Sequence, residues 1–87
     1  MATVRIPRPM QVFTRDQEVV HADGKNVRQL INGLEEAYPG LKGALMNGNK
    51  LKPDIVVAID GKIARLGLLQ PLTEANEVIF LPAISGG

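Results

Sequence analysis

The chain has no cysteine and no tryptophan, and only three aromatic residues, Phe13, Tyr38 and Phe80. Without cysteine it can form no disulfide, no thiolate metal site and no covalent thiol intermediate of its own. A dominant charge is missing too: ten Lys and Arg face nine Asp and Glu, for a net charge of +1. The cations are scattered from Arg5 to Arg65 with no dense run, so nucleic-acid binding, which draws on clustered cations and stacking aromatics, is not expected. The longest apolar run, Ile55 to Ile59, is far too short to cross a bilayer. Met1 to Arg5 lacks the apolar stretch of a signal peptide, which makes a cytoplasmic location and no membrane partner the expectation. The single histidine, His21, has no second ligand type close in sequence and reads as strand surface, not as a metal ligand.

What is present is an ordinary globular composition, 45% hydrophobic and 22% charged over 87 residues. That length suits one domain with a small core, residues 1–87, with 82–87 expected as a flexible tail. Val4 and Ile6 alternate with Thr3 and Arg5 in a half-buried strand that Pro7 ends. Arg8 to Gln17 reads as a loop, and Glu18 to Ala22 as a second strand closed by Asp23-Gly24. Val27, Leu30, Ile31, Leu34 and Tyr38 then form one stripe of a helix. Asn26 is placed to cap it and Gln29 to return the bond, while Pro39-Gly40 stops it. Gly33 inside the helix costs about 1 kcal/mol relative to alanine, so some packing contact must offset it.

A short helical turn is expected over Leu41 to Met46, then a polar loop from Asn47 to Pro53. Ile55 to Ile59 is apolar on both faces, as an interior strand is. Asp60-Gly61 turns it back into Lys62 to Leu66. Gly67 to Asn76 is a crossover, and Glu77 to Leu81 the last strand. The resulting order, β-β-α-β-β-β, predicts an α+β fold. It consists of a mixed sheet of four to five strands with one amphipathic helix on one face and the first and last strands parallel at its centre. That is the β-grasp, or ubiquitin-like, arrangement.

The sequence ends in Gly86-Gly87. At about 7% glycine per position, such a pair arises by chance in roughly 1 chain in 200. The bland reading is a frayed terminus. The chemical one starts from the apolar strand before it, which anchors the base of the tail and leaves the tip free. Neither glycine has a Cβ, so the backbone can thread a channel too narrow for other residues. The Gly87 carboxylate could then be adenylated with ATP in a partner's active site. Attack by a sulfur donor would convert it to a thiocarboxylate.

With these features the chain resembles the ubiquitin-like sulfur-carrier proteins. These include the small subunit of molybdopterin synthase, the thiamin-pathway carrier and the carrier of cysteine biosynthesis. The resemblance runs over the opening Val4-Arg5-Ile6-Pro7 and the helix from Val27 to Glu35. It continues through Tyr38-Pro39-Gly40-Leu41, Val56 to Gly61, Pro71-Leu72 and the ending Glu77 to Gly87. Its specific part is the apolar strand followed by a proline and a terminal Gly-Gly. The Ile6-Pro7 opening, the Glu35 to Gly40 helix exit and Leu81-Pro82-Ala83 look most like the cysteine-biosynthesis type, with the molybdopterin type close behind.

The resemblance implies a non-enzymatic carrier with no bound cofactor. ATP would be used by a ubiquitin-activating-enzyme-like adenylyltransferase acting on Gly87, with Gly86 beside it. A sulfur donor protein would supply the sulfur, and a cysteine synthase or the large subunit of molybdopterin synthase would receive it. In the cysteine route, a metal-dependent protease would release the product from Gly87. Partner contacts are expected at Leu81, Pro82 and Ile84 beside the tail, and at Val56, Ala58 and Phe80 if these lie on the sheet face away from the helix. Arg8, Arg15 and Arg65 could steer an acidic partner, whereas Glu35, Glu36 and Asp60-Gly61 read as solvated helix surface and plain turn chemistry. Two other readings stand beside the carrier: a ubiquitin-like modifier conjugated through Gly87, and an interaction module whose tail is inert.

Overall fold

The structure, a computed structural model, describes residues 1–82, Pro82 by its backbone alone. Strand β1 (Ala2–Arg5) leads through a 3-10 turn (Arg8–Thr14) into β2 (Val19–Ala22), followed by helices α1 (Val27–Ala37) and α2 (Leu41–Leu45). Then come β3 (Met46–Asn47), β4 (Lys50–Leu51), β5 (Ile55–Ile59), β6 (Lys62–Ile63), a second 3-10 turn (Gly67–Leu69) and β7 (Glu77–Pro82). Five strands form one mixed sheet in the order β2-β1-β7-β5-β6, and β3 pairs with β4 apart from it. The first and last strands are parallel neighbours at its centre, with Val4 opposite Val78. The other pairs of neighbouring strands are antiparallel. This is the β-grasp expected from the order of elements, with α1 covering one face of the sheet.

The helix stripe does what its spacing predicts. Val27, Leu30, Ile31 and Leu34 are fully buried in one core with Val4, Val20, Val57, Val78 and Phe80. The Asn26 side chain accepts the Gln29 amide at 2.9 Å, satisfying one of the donors that a helix start leaves open. Gln29 reaches back as foreseen, but to the Lys25 amide at 3.0 Å, one residue before the cap. The same corner is stitched to the crossover: the Val27 amide donates to the Gln70 carbonyl and the Leu72 amide to that of Lys25.

Two glycines let the chain turn tightly against α1. A Cβ on Gly24 would stand 2.4 Å from the Leu30 backbone nitrogen, and one on Gly33 would stand 3.2 Å from the Asp23 carbonyl oxygen. The helix therefore carries Gly33 because the turn out of β2 passes directly over it. Glu35, expected to be merely solvated, is instead a structural cap. Its carboxylate accepts the amides of Gly40 and Lys42, each at 2.9 Å, where α2 begins.

Elsewhere the elements differ from their sequence reading in several places. The loop after β1 is largely a 3-10 turn, and its Thr14 is completely buried and donates to the Gln17 carbonyl at 2.8 Å. The polar stretch after α2 contains the short β3–β4 hairpin. The return strand stops at Ile63 because the chain then rolls into the second 3-10 turn, with Gly67 at a φ of 56°. Strand β7 runs one residue further than expected, to Pro82 opposite Ile55.

Gly24→Ala should cost about 2 kcal/mol or more in urea unfolding, because its Cβ meets backbone that cannot step aside. Gly43→Ala, in α2, is the control: a Cβ there meets nothing within 4 Å, and the substitution should be neutral or stabilising.

Candidate functional site

Strand β7 is held on both edges, by β1 and by β5. Along it, side chains alternate between the two faces of the sheet. Val78 and Phe80 point into the core and are 0% and 1% exposed, which leaves Glu77, Ile79 and Leu81 on the outer face. On β5, Ile55 and Val57 belong to the core, so Val56 and Ala58 lie on the outer face with Ile79 and Leu81, but Ala58, expected to be open to a partner, is only 5% exposed there.

The register sets these residues side by side. Val56 is opposite Leu81, Ala58 opposite Ile79, and on the next strand Ile63 opposite Ala58. The outcome is an apolar strip across β7, β5 and β6 on the side that α1 does not cover. Leu81, at 43% exposed, lies at the end of β7 from which the chain continues to residue 87.

Towards β1 the strip gives way to charge. Arg5 is paired with Ile79 in the parallel register and reaches Glu77 at 3.3 Å and Glu18 at 3.9 Å. Exposed pairs of this kind contribute about 1 kcal/mol or less, so they shape the rim of the face more than they stabilise it. A groove beside them is lined by Arg5, Pro7, Arg8, Gln11, Ile79 and Leu81.

The other end of β7 is fixed by Asp60. This residue sits at a φ of 51° in the tight turn after β5, and Gly61 follows at 85°. Its carboxylate accepts the Glu77 amide at 2.9 Å and the Asn76 side-chain amide at 2.6 Å. Reading Asp60-Gly61 as turn chemistry alone was therefore too narrow: the turn also sets where β7 begins.

Of the residues expected to contact partners, Val56 and Leu81 are brought together as cross-strand neighbours on the outer face. Phe80 is a correction. The apolar run from Val78 to Leu81 does not reveal which residues face inward, and the register puts Phe80 in the core under α1. Pro82 lies on β7, whereas Ile84, Gly86 and Gly87 fall outside the described residues. Ile79 and Ile63 were not foreseen; Ile79 could have been found from its two-residue spacing to Leu81. His21 is exposed on β2, and among the described residues no group of three His, Asp or Glu gathers to hold a metal. No helix among them is long and apolar enough to cross a membrane.

A β-grasp whose central strand leads directly into a C-terminal segment, beside an uncovered apolar face, defines the ubiquitin-like class of carriers and modifiers. Within that class, the ThiS family model matches residues 4–87, and the chain belongs to the ThiS family. A chain of the Amycolatopsis orientalis BexX/CysO complex superposes with a TM-score of 0.92 at 29% identity, covering 100% of both chains. Mycobacterium tuberculosis CysO gives 0.91 at 28% identity, covering 97% of this chain and 100% of that one. The small archaeal modifier protein 1 of Methanosarcina acetivorans shares the fold, at 0.81 and 24% identity, covering 99% and 95%. No curated protein matches the sequence significantly.

The two faces of β7 should separate in mutation. Phe80→Ala should lower stability by about 3–5 kcal/mol in thermal or urea unfolding. Leu81→Ala should change it by no more than about 0.5 kcal/mol, as expected of a half-exposed side chain.

Proposed function

We propose that this protein is a sulfur carrier whose reactive group is the Gly87 carboxylate. The observation that carries the reading is the placement of β7. The strand that leads to Gly86-Gly87 is clamped on both edges, and its outward side chains continue an apolar face on which a partner can dock. Membership of the ThiS family and the likeness to CysO, once in a complex with BexX, support the same reading.

In the proposed sequence, an adenylyltransferase docks on Leu81, Val56 and the neighbouring apolar strip and takes the terminal glycines into its ATP site. The carboxylate oxygen attacks the α-phosphate, pyrophosphate leaves, and an acyl-adenylate forms. A sulfur donor protein then attacks the acyl carbon and AMP departs with the former carboxylate oxygen. Where the donor carries that sulfur as a persulfide, a second thiol of the partner proteins attacks the donor's own sulfur in the resulting acyl disulfide, so a donor disulfide forms and the thiocarboxylate leaves. The carrier contributes position, not catalysis: the domain holds the base of the tail while the partner's groups perform the chemistry.

Pro82 and Ile84 would extend the contact along the tail. The sequence resemblance favours delivery of the sulfur to an activated serine derivative on a cysteine synthase, ahead of a pterin precursor on molybdopterin synthase. A cytoplasmic setting fits either route.

Incubation with ATP, a ThiS-type activating enzyme and a sulfur donor should raise the intact mass by the difference between sulfur and oxygen. The gain should vanish when Gly87 is deleted and fall at least about tenfold in rate for Val56→Glu, which places a charge in the docking face. Isopeptide-linked conjugates in place of the mass gain would make the chain a modifier. Unchanged mass with several competent activating enzymes would leave the tail inert.

A further inference from the structure

A second apolar surface begins at Ile63, where the strip across the sheet ends on β6, and continues beyond that edge, away from the end of β7. Seven large hydrophobic residues are exposed among the described residues, and three of them, Ile63, Leu66 and Leu69, fall within a single seven-residue stretch. Ile63 is 61% exposed, Leu66 60% and Leu69 70%, all more open than Leu81. Scattered apolar residues on a surface are ordinary, but a cluster is not.

The local fold explains why the leucines converge. The Leu69 amide donates to the Leu66 carbonyl at 3.0 Å, and the Gln70 amide to that of Gly67 at 3.1 Å. These bonds fold residues 66–69 into a tight turn, which brings the backbones of Leu66 and Leu69 close together, and both side chains are exposed. Leu68, between them, is the residue that turns inward and is buried in the core. The turn is tied down by Gly67 at a φ of 56° and by the Gln70 side chain, which accepts the Leu66 amide at 3.3 Å. The two leucines are thus held outward on a defined scaffold and contribute little to the core.

Charge around the cluster is one-sided. Strand β4 packs against the 3-10 turn and brings Lys50, with Lys52 next in the chain, while Lys62 and Arg65 flank Ile63. None of these four cations has an ion-pair partner among the described residues. Residues 50–69 hold only two carboxylates, Asp54 and Asp60, and Asp60 is already engaged by Asn76 and Glu77. The remainder of the chain carries six cations against seven carboxylates. The excess positive charge of the protein is therefore concentrated around its most exposed leucines.

We propose that Ile63, Leu66 and Leu69, rimmed by Lys50, Lys52, Lys62 and Arg65, form a second docking surface for an acidic, leucine-bearing amphipathic segment of a partner protein. Apolar side chains of the segment would cover the leucine pair, and its carboxylates would meet the lysines and Arg65. A second copy of this chain fits poorly, because two such surfaces face to face would bring like charges together. The surface needs nothing from Gly86-Gly87, so it would allow one protein to grip the carrier domain while another handles the tail.

The test is a titration of the full chain with a synthetic helical peptide bearing leucines on one face and glutamates beside them, followed by amide chemical shifts. Saturable shifts confined to residues 50–52 and 62–70 are expected, with binding that weakens as salt rises. Leu66→Ser combined with Leu69→Ser should weaken binding at least about tenfold, and Arg65→Glu severalfold with a reduced salt dependence. All three substitutions are at exposed positions and should leave the unfolding midpoint unchanged. Absence of shifts, equal affinity for a peptide with lysines in place of glutamates, or shifts centred on Val56 and Leu81 would overturn the proposal. So would shifts that appear on raising protein concentration without peptide, which would make the surface a self-association site. Each outcome is independent of whether Gly87 accepts sulfur.

Discussion

The parallel pairing of β1 with β7 is the constraint on which the rest of the molecule depends. It joins the first strand to the last, so nearly the whole chain lies in the loop that this pairing closes. It also places β7 in the centre of the sheet, where both of its edges are satisfied and its inward side chains, Val78 and Phe80, complete the core beneath α1. Pairing across such a sequence distance is costly in loop entropy, and the ladder alone does not compensate for it. Compensation comes from the apolar surface that α1 and the crossover bury over the sheet.

Several polar contacts act on the same constraint from a distance. Asp60 accepts two donors from Asn76 and Glu77, which sets the residue at which β7 starts and hence its register against β5. The hydrogen bonds between the Gln70–Leu72 crossover and the Lys25–Val27 corner hold the connection that delivers β7 to the centre. Glu35 closes the other end of α1 by capping α2. A shift of one residue in the β7 register would exchange Phe80 for Leu81 on the inner face, and with it the identity of the docking surface. Stability and recognition therefore share one strand, divided between its faces.

The two apolar surfaces differ in kind. The strip around Leu81 and Val56 belongs to the sheet itself and borders the end of β7, with Arg5, Glu18 and Glu77 in a locally paired rim. The cluster around Leu66 and Leu69 belongs to a turn, and its cations are left without partners among the described residues. One is suited to a partner that must also take hold of the tail. The other is suited to a partner that recognises the domain by charge as well as by apolar contact.

Much of this was legible in the sequence because it rests on local chemistry. The stripe from Val27 to Leu34, the Asn26 cap, the Asp60-Gly61 turn and the alternation of Thr3 to Ile6 depend only on residues close together in the chain. The parallel pair could be inferred because few topologies cover a core of this size with one helix. Local patterns do not specify which face a uniformly apolar strand presents, so Phe80 could be placed only once the register of β7 against β5 was known. The role of Glu35, the need for Gly24 and Gly33, and the convergence of Leu66 with Leu69 were hidden for the same reason. Each depends on what the folded chain brings alongside. The sequence by itself determined the main helix, the principal strands, their order and the family to which they belong, though not the short β3–β4 hairpin or the 3-10 turns. Only the tertiary structure decided which side chains face the core and which remain to meet a partner, because that choice is made by register and packing between distant segments.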